Sequence, residues 1–202
     1  MQFHFDYFYT TVGIIGASRT GKSYITAQLL KLAGKRSSVL VHSPLTKEQY
    51  KAYSDDVKVS GETGINAQIV DNFIEIRKNK KVWLLVFDDL DLFVHNAKES
   101  KMLENLPVLS KGYWQHGNIW QSRRMVNLPY PLFQNSDYLI FSYGVDTHDY
   151  DDLEKYTGLD LQLYKTLPAP VRSKSDPRKL EKAWYLLLNT ETKEQEIIDG
   201  FS

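Results

Sequence analysis

Apolar residues arrive along this chain in two rhythms. Thr11 to Ile15, Ser38 to His42, Val82 to Phe87 and Asp137 to Phe141 are short, nearly continuous apolar runs. A strand covered on both faces has no solvent side, so it reads as an unbroken run rather than an alternation. Val57 to Val59 predicts a further short strand, and Ala183–Leu188 with Glu194–Ile198 a closing β-hairpin. Elsewhere the apolar positions return every three or four residues, the period of a helix. Tyr24 to Leu32 does so up to Gly34. Residues 65–78 do so through Ile65, Ile69, Val70, Phe73, Ile74 and Ile76, and Lys78 to Lys81 then suit a helix C-terminus.

Shorter helices are predicted from Pro44 through Tyr53, from Lys98 to Leu109, and from Asp149 to Tyr156 before a turn at Gly158. Leu128-Pro129-Tyr130-Pro131-Leu132 reads as a constrained loop, because two prolines exclude a helix across it, and Leu167 to Pro170 as another loop. The aromatic lead from Phe3 to Tyr9 packs on a sheet edge or on a neighbouring subunit. Strands alternating with helices predict an α/β domain over residues 1–202. Its central sheet is mainly parallel with helices on both faces, and ligands bind at the carboxyl ends of the strands.

The first strand runs into Gly16-Ala17-Ser18-Arg19-Thr20-Gly21-Lys22-Ser23, and Tyr24 continues into the helix. This Gly-x-x-x-x-Gly-Lys-Ser stretch has the parts of a phosphate loop. Gly16 and Gly21 permit backbone angles that aim successive N–H groups into one concavity. Lys22 puts a positive charge against the β- and γ-phosphates, the Ser23 hydroxyl can hold Mg²⁺, and the helix dipole points at the same anion. The expected ligand is a nucleoside triphosphate held by residues 16–24.

A second signal is the strand that ends in Asp88-Asp89. Beside a phosphate loop, one acid at a strand end can hold Mg²⁺ and its neighbour can deprotonate the attacking water. Asp88 is assigned to the metal and Asp89 to the water, with Asp91 the weaker choice for the second role. A third is Gln121, after the segment Gly117 to Trp120. A neutral amide there can contact the γ-phosphate and lose that contact on hydrolysis, which would make it a sensor.

Composition changes this picture little. Hydrophobic residues make up 42% and charged residues 25% of the 202, as in ordinary globular proteins. The absence of cysteine excludes disulfides and thiolate chemistry, and the five histidines are scattered. No apolar run reaches the roughly 20 residues of a membrane span, and the N-terminus does not read as a secretory signal, so an intracellular setting is expected. The net charge is zero, so any contact with nucleic acid needs a local basic patch.

Taken together, the phosphate loop, Val82–Asp89, Gln121-Ser122-Arg123-Arg124, the strand Asn135–Phe141 and the Leu153–Gly158 to Leu167-Pro168 region resemble the FtsK/HerA superfamily of P-loop ATPases. Its small viral genome-packaging members are the nearest in kind. The resemblance implies a RecA-like sheet, ATP with Mg²⁺, and a homo-oligomeric ring (pentamer or hexamer). It implies translocation of double-stranded DNA, with capsid or portal-vertex proteins as further partners in the virion or host cytoplasm. Lys22 and Ser23 match the Walker A positions, Asp88 the Walker B aspartate and Gln121 the sensor. The catalytic position, often Glu, is here Asp89. An arginine finger from a neighbouring subunit is expected before the sensor strand, where this chain has Lys111, which cannot make arginine's planar fork. Arg123 and Arg124 are the alternatives.

Lys165, Arg172, Lys174, Arg178, Lys179 and Lys182 crowd a Pro-bounded loop before the final hairpin, a candidate surface for sequence-independent contacts to DNA phosphates. Tyr113 and Trp114 beside Lys111 are a second. The competing readings are a cellular or plasmid DNA pump, a nucleotide-dependent assembly switch, and a small-molecule kinase with the basic loop as its lid.

Overall fold

The computed structural model describes residues 3–6, 9–33, 39–43, 56–59, 84–92, 94, 103–109, 111, 116–125 and 128–201. The expected helices over 44–53 and 65–78, the segment 98–102, and Tyr113 and Trp114 lie outside these residues. The strands are β1 (Thr11–Ile15), β2 (Val39–Ser43), β3 (Asp56–Val59), β4 (Leu84–Phe87) and β5 (Gly117–Ser122). They continue with β6 (Tyr138–Ser142), β7 (Val171–Arg172), β8 (Leu180–Lys182), β9 (Tyr185–Asn189) and β10 (Gln195–Ile198). Eight of them form one sheet in the order β10-β9-β6-β1-β5-β4-β2-β3. The six strands from β6 to β3 in that order pair in parallel, and β9 and β10 add an antiparallel edge.

Alternate residues of the central strands feed two separate cores. Val12, Ile14, Leu84, Val86, Ile119, Ile140 and Leu187 face one side, where Ile25, Leu29 and Leu30 of helix α1 (Lys22–Ala33) cover them. Ile15, Leu85, Phe87, Trp120, Leu139, Phe141 and Leu186 face the other. That side is covered by α2 (Leu106–Leu109), α3 (Tyr130–Gln134), α4 (Tyr150–Thr157) and α5 (Leu161–Lys165), through Leu106, Leu132, Phe133, Leu153 and Tyr164. Both faces are covered, which is why the strands read as continuous apolar runs.

Three expectations need correcting. The segment with two prolines does not exclude a helix, because α3 begins at Tyr130 with Pro129 as its N-cap residue and Pro131 in its first turn. The first-turn N–H groups have no partner inside a helix, so a proline there forfeits nothing. Gln121 does not follow the segment 117–120 but continues it, since β5 is buried throughout from Gly117 to Ser122. The basic loop is a two-stranded antiparallel hairpin, β7–β8. Helix α5 was not anticipated, although Asp160 signals it: its carboxylate accepts from the N–H groups of Gln162 and Leu163 at 2.8 and 3.1 Å. Gly158 ends α4 in the left-handed region at φ 79°, as its place in the sequence suggested. Of the aromatic lead, Phe3 packs within the chain, its ring centroid 4.7 Å from that of Tyr138 and 4.2 Å from that of Phe201.

Gly13 sets the spacing at the centre. It lies opposite Trp120 in the β1–β5 ladder, and a Cβ on it would overlap the indole ring. Trp120 is fully buried, donates from Nε1 to Ser136 Oγ at 3.0 Å and stands edge-on to Phe133. Gly13→Ala is expected to overpack this contact by about 1–3 kcal/mol. At roughly 2–4 °C per kcal/mol for a chain of this size, thermal denaturation should show a midpoint several degrees lower.

Candidate nucleotide site

The site is built at the carboxyl edge of the sheet. β5 lies between β1 and β4, so the strand ending at Asp88 is one place removed from the strand of the phosphate loop rather than beside it. The registers set the levels along that edge. Gln121 pairs with Ile14 of β1, while Trp120 pairs with Phe87 of β4, so Gln121 is level with Asp88. The amide of Gly16 extends the ladder by donating to Ser122 O at 3.1 Å. Gln121 therefore sits between the phosphate loop and the acids at the end of β4.

Residues 16–21 turn sharply from β1 into α1, with Arg19 at φ 65° and Gly21 at φ 103°. The loop is held from the far end of the sequence. Ser142, at the end of β6, shares a 2.6 Å hydrogen bond with Thr20 Oγ1, which also donates to Ala17 O at 2.8 Å. A Cβ on Gly16 would overlap the Ser142 hydroxyl. The Tyr185 hydroxyl, on β9, donates to Gly21 O at 2.9 Å, and burial raises its pKa. Tyr164 steadies the segment after β6 by donating to Ser142 O at 3.0 Å and accepting from Val145 N at 2.8 Å. Burial pushes the pKa of this hydroxyl up to about 12.

Lys22 is buried, donates to Gly16 O at 2.9 Å and Ala17 O at 3.0 Å, and lies 3.9 Å from Asp89 Oδ1. Burial lowers the Lys22 pKa against the opposing pull of Asp89, Asp91 and Asp88. Burial also raises the Asp89 pKa, with Lys22 pulling the other way. Asp89 takes the left-handed conformation at φ 48°, which aspartate tolerates better than most residues. Phosphate oxygens entering the loop would compete with the two carbonyls for the Lys22 ammonium.

Asp91 has a different employment. Its Oδ1 accepts from Ser122 Oγ at 3.2 Å and from Arg123 N at 3.0 Å, and its Oδ2 accepts from Arg123 Nε at 3.1 Å. The carboxylate ties the 3-10 turn Leu90–Leu92 to the end of β5. Asp91, Ser142 and Tyr185 all support the site, and sequence reasoning missed them in that role. Only Asp91 had a signal, its place just after the paired acids.

Two cavities flank the loop. One of about 470 Å³ is lined by Ala17, Ser18, Asp91, Arg123, Arg124 and Asp146. The other, about 430 Å³, is lined by Lys22, Ser23, Tyr24, Asp89, Arg172 and Arg178 among others. Arg123 and Arg124 thus border their own subunit's loop, Arg124 lying 3.8 Å from Asp146. Lys111 does not join them. It pairs with Asp137 Oδ1 at 2.5 Å, and Asp137 Oδ2 accepts from Thr11 N at the start of β1, the opposite end from the loop.

The donor set suits Mg²⁺. Ser23 offers a hydroxyl and Asp88, buried at the strand end, a carboxylate, both hard oxygens. Among the described residues no group of three or more His, Cys, Asp or Glu could hold a metal.

No family model and no curated protein matches this chain. Solved structures do. B204, the DNA-packaging ATPase from Sulfolobus Turreted Icosahedral Virus, superposes at TM-score 0.75 with 16% identity, covering 96% of this chain and 98% of that one. The genome packaging NTPase B204 from Sulfolobus turreted icosahedral virus 2, in complex with AMPPCP, gives TM-score 0.69 and 14% identity over 96% of this chain and 98% of that one. EssC (ATPases 2 and 3) from Geobacillus thermodenitrificans gives 0.56 and 15%, covering 95% of this chain and 39% of that one. The chain has the fold of these ATPases. The resemblance drawn from the motifs is borne out in its α/β architecture, its mostly parallel sheet and its C-terminal hairpin.

Asp91→Ala removes the acceptor of the Arg123 N and Nε hydrogen bonds, while Ser122 Oγ keeps Arg124 O as its acceptor. An expected loss of about 1–3 kcal/mol follows. It should appear as a thermal midpoint lowered by several degrees, roughly 2–4 °C per kcal/mol.

Proposed function

We propose that this chain is an ATP-hydrolysing motor that translocates double-stranded DNA, of the kind that packages a viral genome. The observation that carries the reading is the approach of Asp89 to Lys22, 3.9 Å, at the strand edge where Gln121 and Asp88 stand level. Support for the DNA-packaging part comes from the likeness in fold to two viral packaging enzymes.

In this reading residues 16–24 cradle the triphosphate with backbone amides and the positive end of α1. Lys22 exchanges its two carbonyl partners for β- and γ-phosphate oxygens. Ser23 and Asp88 would hold Mg²⁺, which when bound would supply positive charge to the phosphates. Asp89 accepts a proton from the attacking water. The Gln121 amide donates to the γ-phosphate or the water, and its contact changes when phosphate leaves. Neighbouring copies close a ring of five or six. Lys111 lies at the edge of the sheet opposite its own loop, so it could serve only a neighbour's site, whereas Arg123 and Arg124 border their own. Exposed Lys174 and Lys179 on the β7–β8 turn offer contacts to DNA backbone. The partners beyond DNA would be capsid or portal-vertex proteins, in the virion or the host cytoplasm. Among the described residues no helix is long and apolar enough to cross a membrane.

Steady-state ATP hydrolysis measured with and without double-stranded DNA, at two salt concentrations, tests the proposal. DNA should stimulate turnover, the stimulation should fade with salt, and Lys22→Ala should abolish both. Turnover indifferent to DNA would favour an assembly switch, and transfer of phosphate to a nucleoside would favour a kinase.

The pH dependence follows from the buried pair. Asp89 must be ionised to accept a proton, and its raised pKa puts the acid limb of kcat/KM above the ordinary 3.8. Lys22 must be charged, and its lowered pKa puts the basic limb below 10.5. Asp89→Asn should remove the acid limb and reduce kcat by about 10²–10⁴-fold.

A further inference from the structure

The basic hairpin β7–β8 lies against the phosphate loop. Arg172 Nη2 donates to Arg19 O within the loop, and Arg172 Nη1 donates to Pro177 O at 3.0 Å and Arg178 O at 3.5 Å. This one guanidinium stitches the hairpin turn to the loop. Close behind it, a Cβ on Gly21 would come within 3.1 Å of Leu180 and 3.2 Å of Ala183, so β8 packs directly on the start of α1. The hairpin forms a wall of the cavity that contains Lys22, Ser23 and Asp89.

We infer that this hairpin belongs to the nucleotide site, and that Arg178 binds the polyphosphate of the nucleotide held by its own subunit. The inference rests on the nucleotide-binding part of the proposed function. Among the described residues, the Arg178 side chain has no hydrogen bond or ion pair, and it lines the same cavity as Lys22. The turn that carries it is locked. Ser173 N donates to Lys179 O at 3.0 Å, Lys179 N to Asp176 O at 2.9 Å, and Arg178 N to Asp176 Oδ1 at 3.0 Å. The turn's backbone is thus fixed before binding, which leaves only the side chain to be ordered, and a guanidinium can grip phosphate oxygens with two parallel N–H groups.

The charge balance fits the same ligand. Among the described residues, Arg19, Lys22, Arg172 and Arg178 line the cavity with Asp89 as the one carboxylate. Arg172 is occupied with backbone carbonyls, which leaves Arg178 as the hairpin cation that lines this cavity with donors to offer, among the described residues. Tyr24, exposed at the mouth beside Leu180, offers an apolar face to the rest of the nucleotide. The hairpin is thus divided, with Arg172 and Arg178 on the nucleotide side and Lys174 and Lys179 on the turn outside the cavity.

Calorimetric titration of the full chain with a non-hydrolysable ATP analogue and Mg²⁺, and separately with a short mixed-sequence DNA duplex, tests this. Arg178→Ala should weaken the analogue by roughly 10–100-fold, the loss of a charge-assisted contact. Its duplex affinity and thermal midpoint should match those of the wild type. Arg178→Lys should recover only part of the loss, since lysine keeps the charge but not the fork. Wild-type affinity for the analogue in Arg178→Ala would overturn the inference and leave the proposed function standing. So would a loss confined to the duplex. A wild-type chain that binds neither analogue nor ATP would overturn the proposed function and this inference together.

Discussion

The site depends on how closely β5 can lie against β1. Gly13 has no side chain, and the space it leaves is filled by the Trp120 ring. That fit puts the end of β5 between the phosphate loop and the acids of β4, because the register that seats Trp120 opposite Gly13 also seats Gln121 opposite Ile14 and Ser122 opposite Ile15. A bulkier residue at position 13 would move the strand that carries Gln121. The close packing of the core therefore sets the geometry at the sheet edge.

At that edge the charged groups are divided by task. Lys22 and Asp89 face each other in a site where burial disfavours the charge on both. Asp91 is spent on structure, with both oxygens engaged by the Ser122–Arg123 segment. Adjacent carboxylates of similar sequence context thus differ because one turns toward the loop through a left-handed backbone and the other is captured by β5.

The C-terminal third completes the phosphate loop rather than forming a separate appendage. Ser142, Tyr185 and Arg172 contact Thr20, Gly21 and Arg19 across separations of 122, 164 and 153 residues. The loop is tied to β6 through the Thr20 hydroxyl, and to β9 and β7 through the carbonyls of Gly21 and Arg19.

The glycine loop between β1 and α1, the Asp88–Asp89 strand end and the alternation of strands with helices were legible in the residues alone. Each depends on neighbours in the chain: glycines that permit a turn, apolar runs that need two covered faces, a lysine at a helix start. The one-strand gap between β1 and β4, the containment of Gln121 within β5 and the helix through Pro131 were not legible. Strand order and burial are decided by packing across the sheet, and the prolines mislead because their cost vanishes in a first helical turn. The basic cluster was visible as charge, but its position over the loop was not. Local sequence determined which elements form and which chemistry they carry. Tertiary structure alone decided which charges meet, because ion pairs and burial join residues such as Lys22 with Asp89 and Asp91 with Arg123 that are tens of positions apart in the chain.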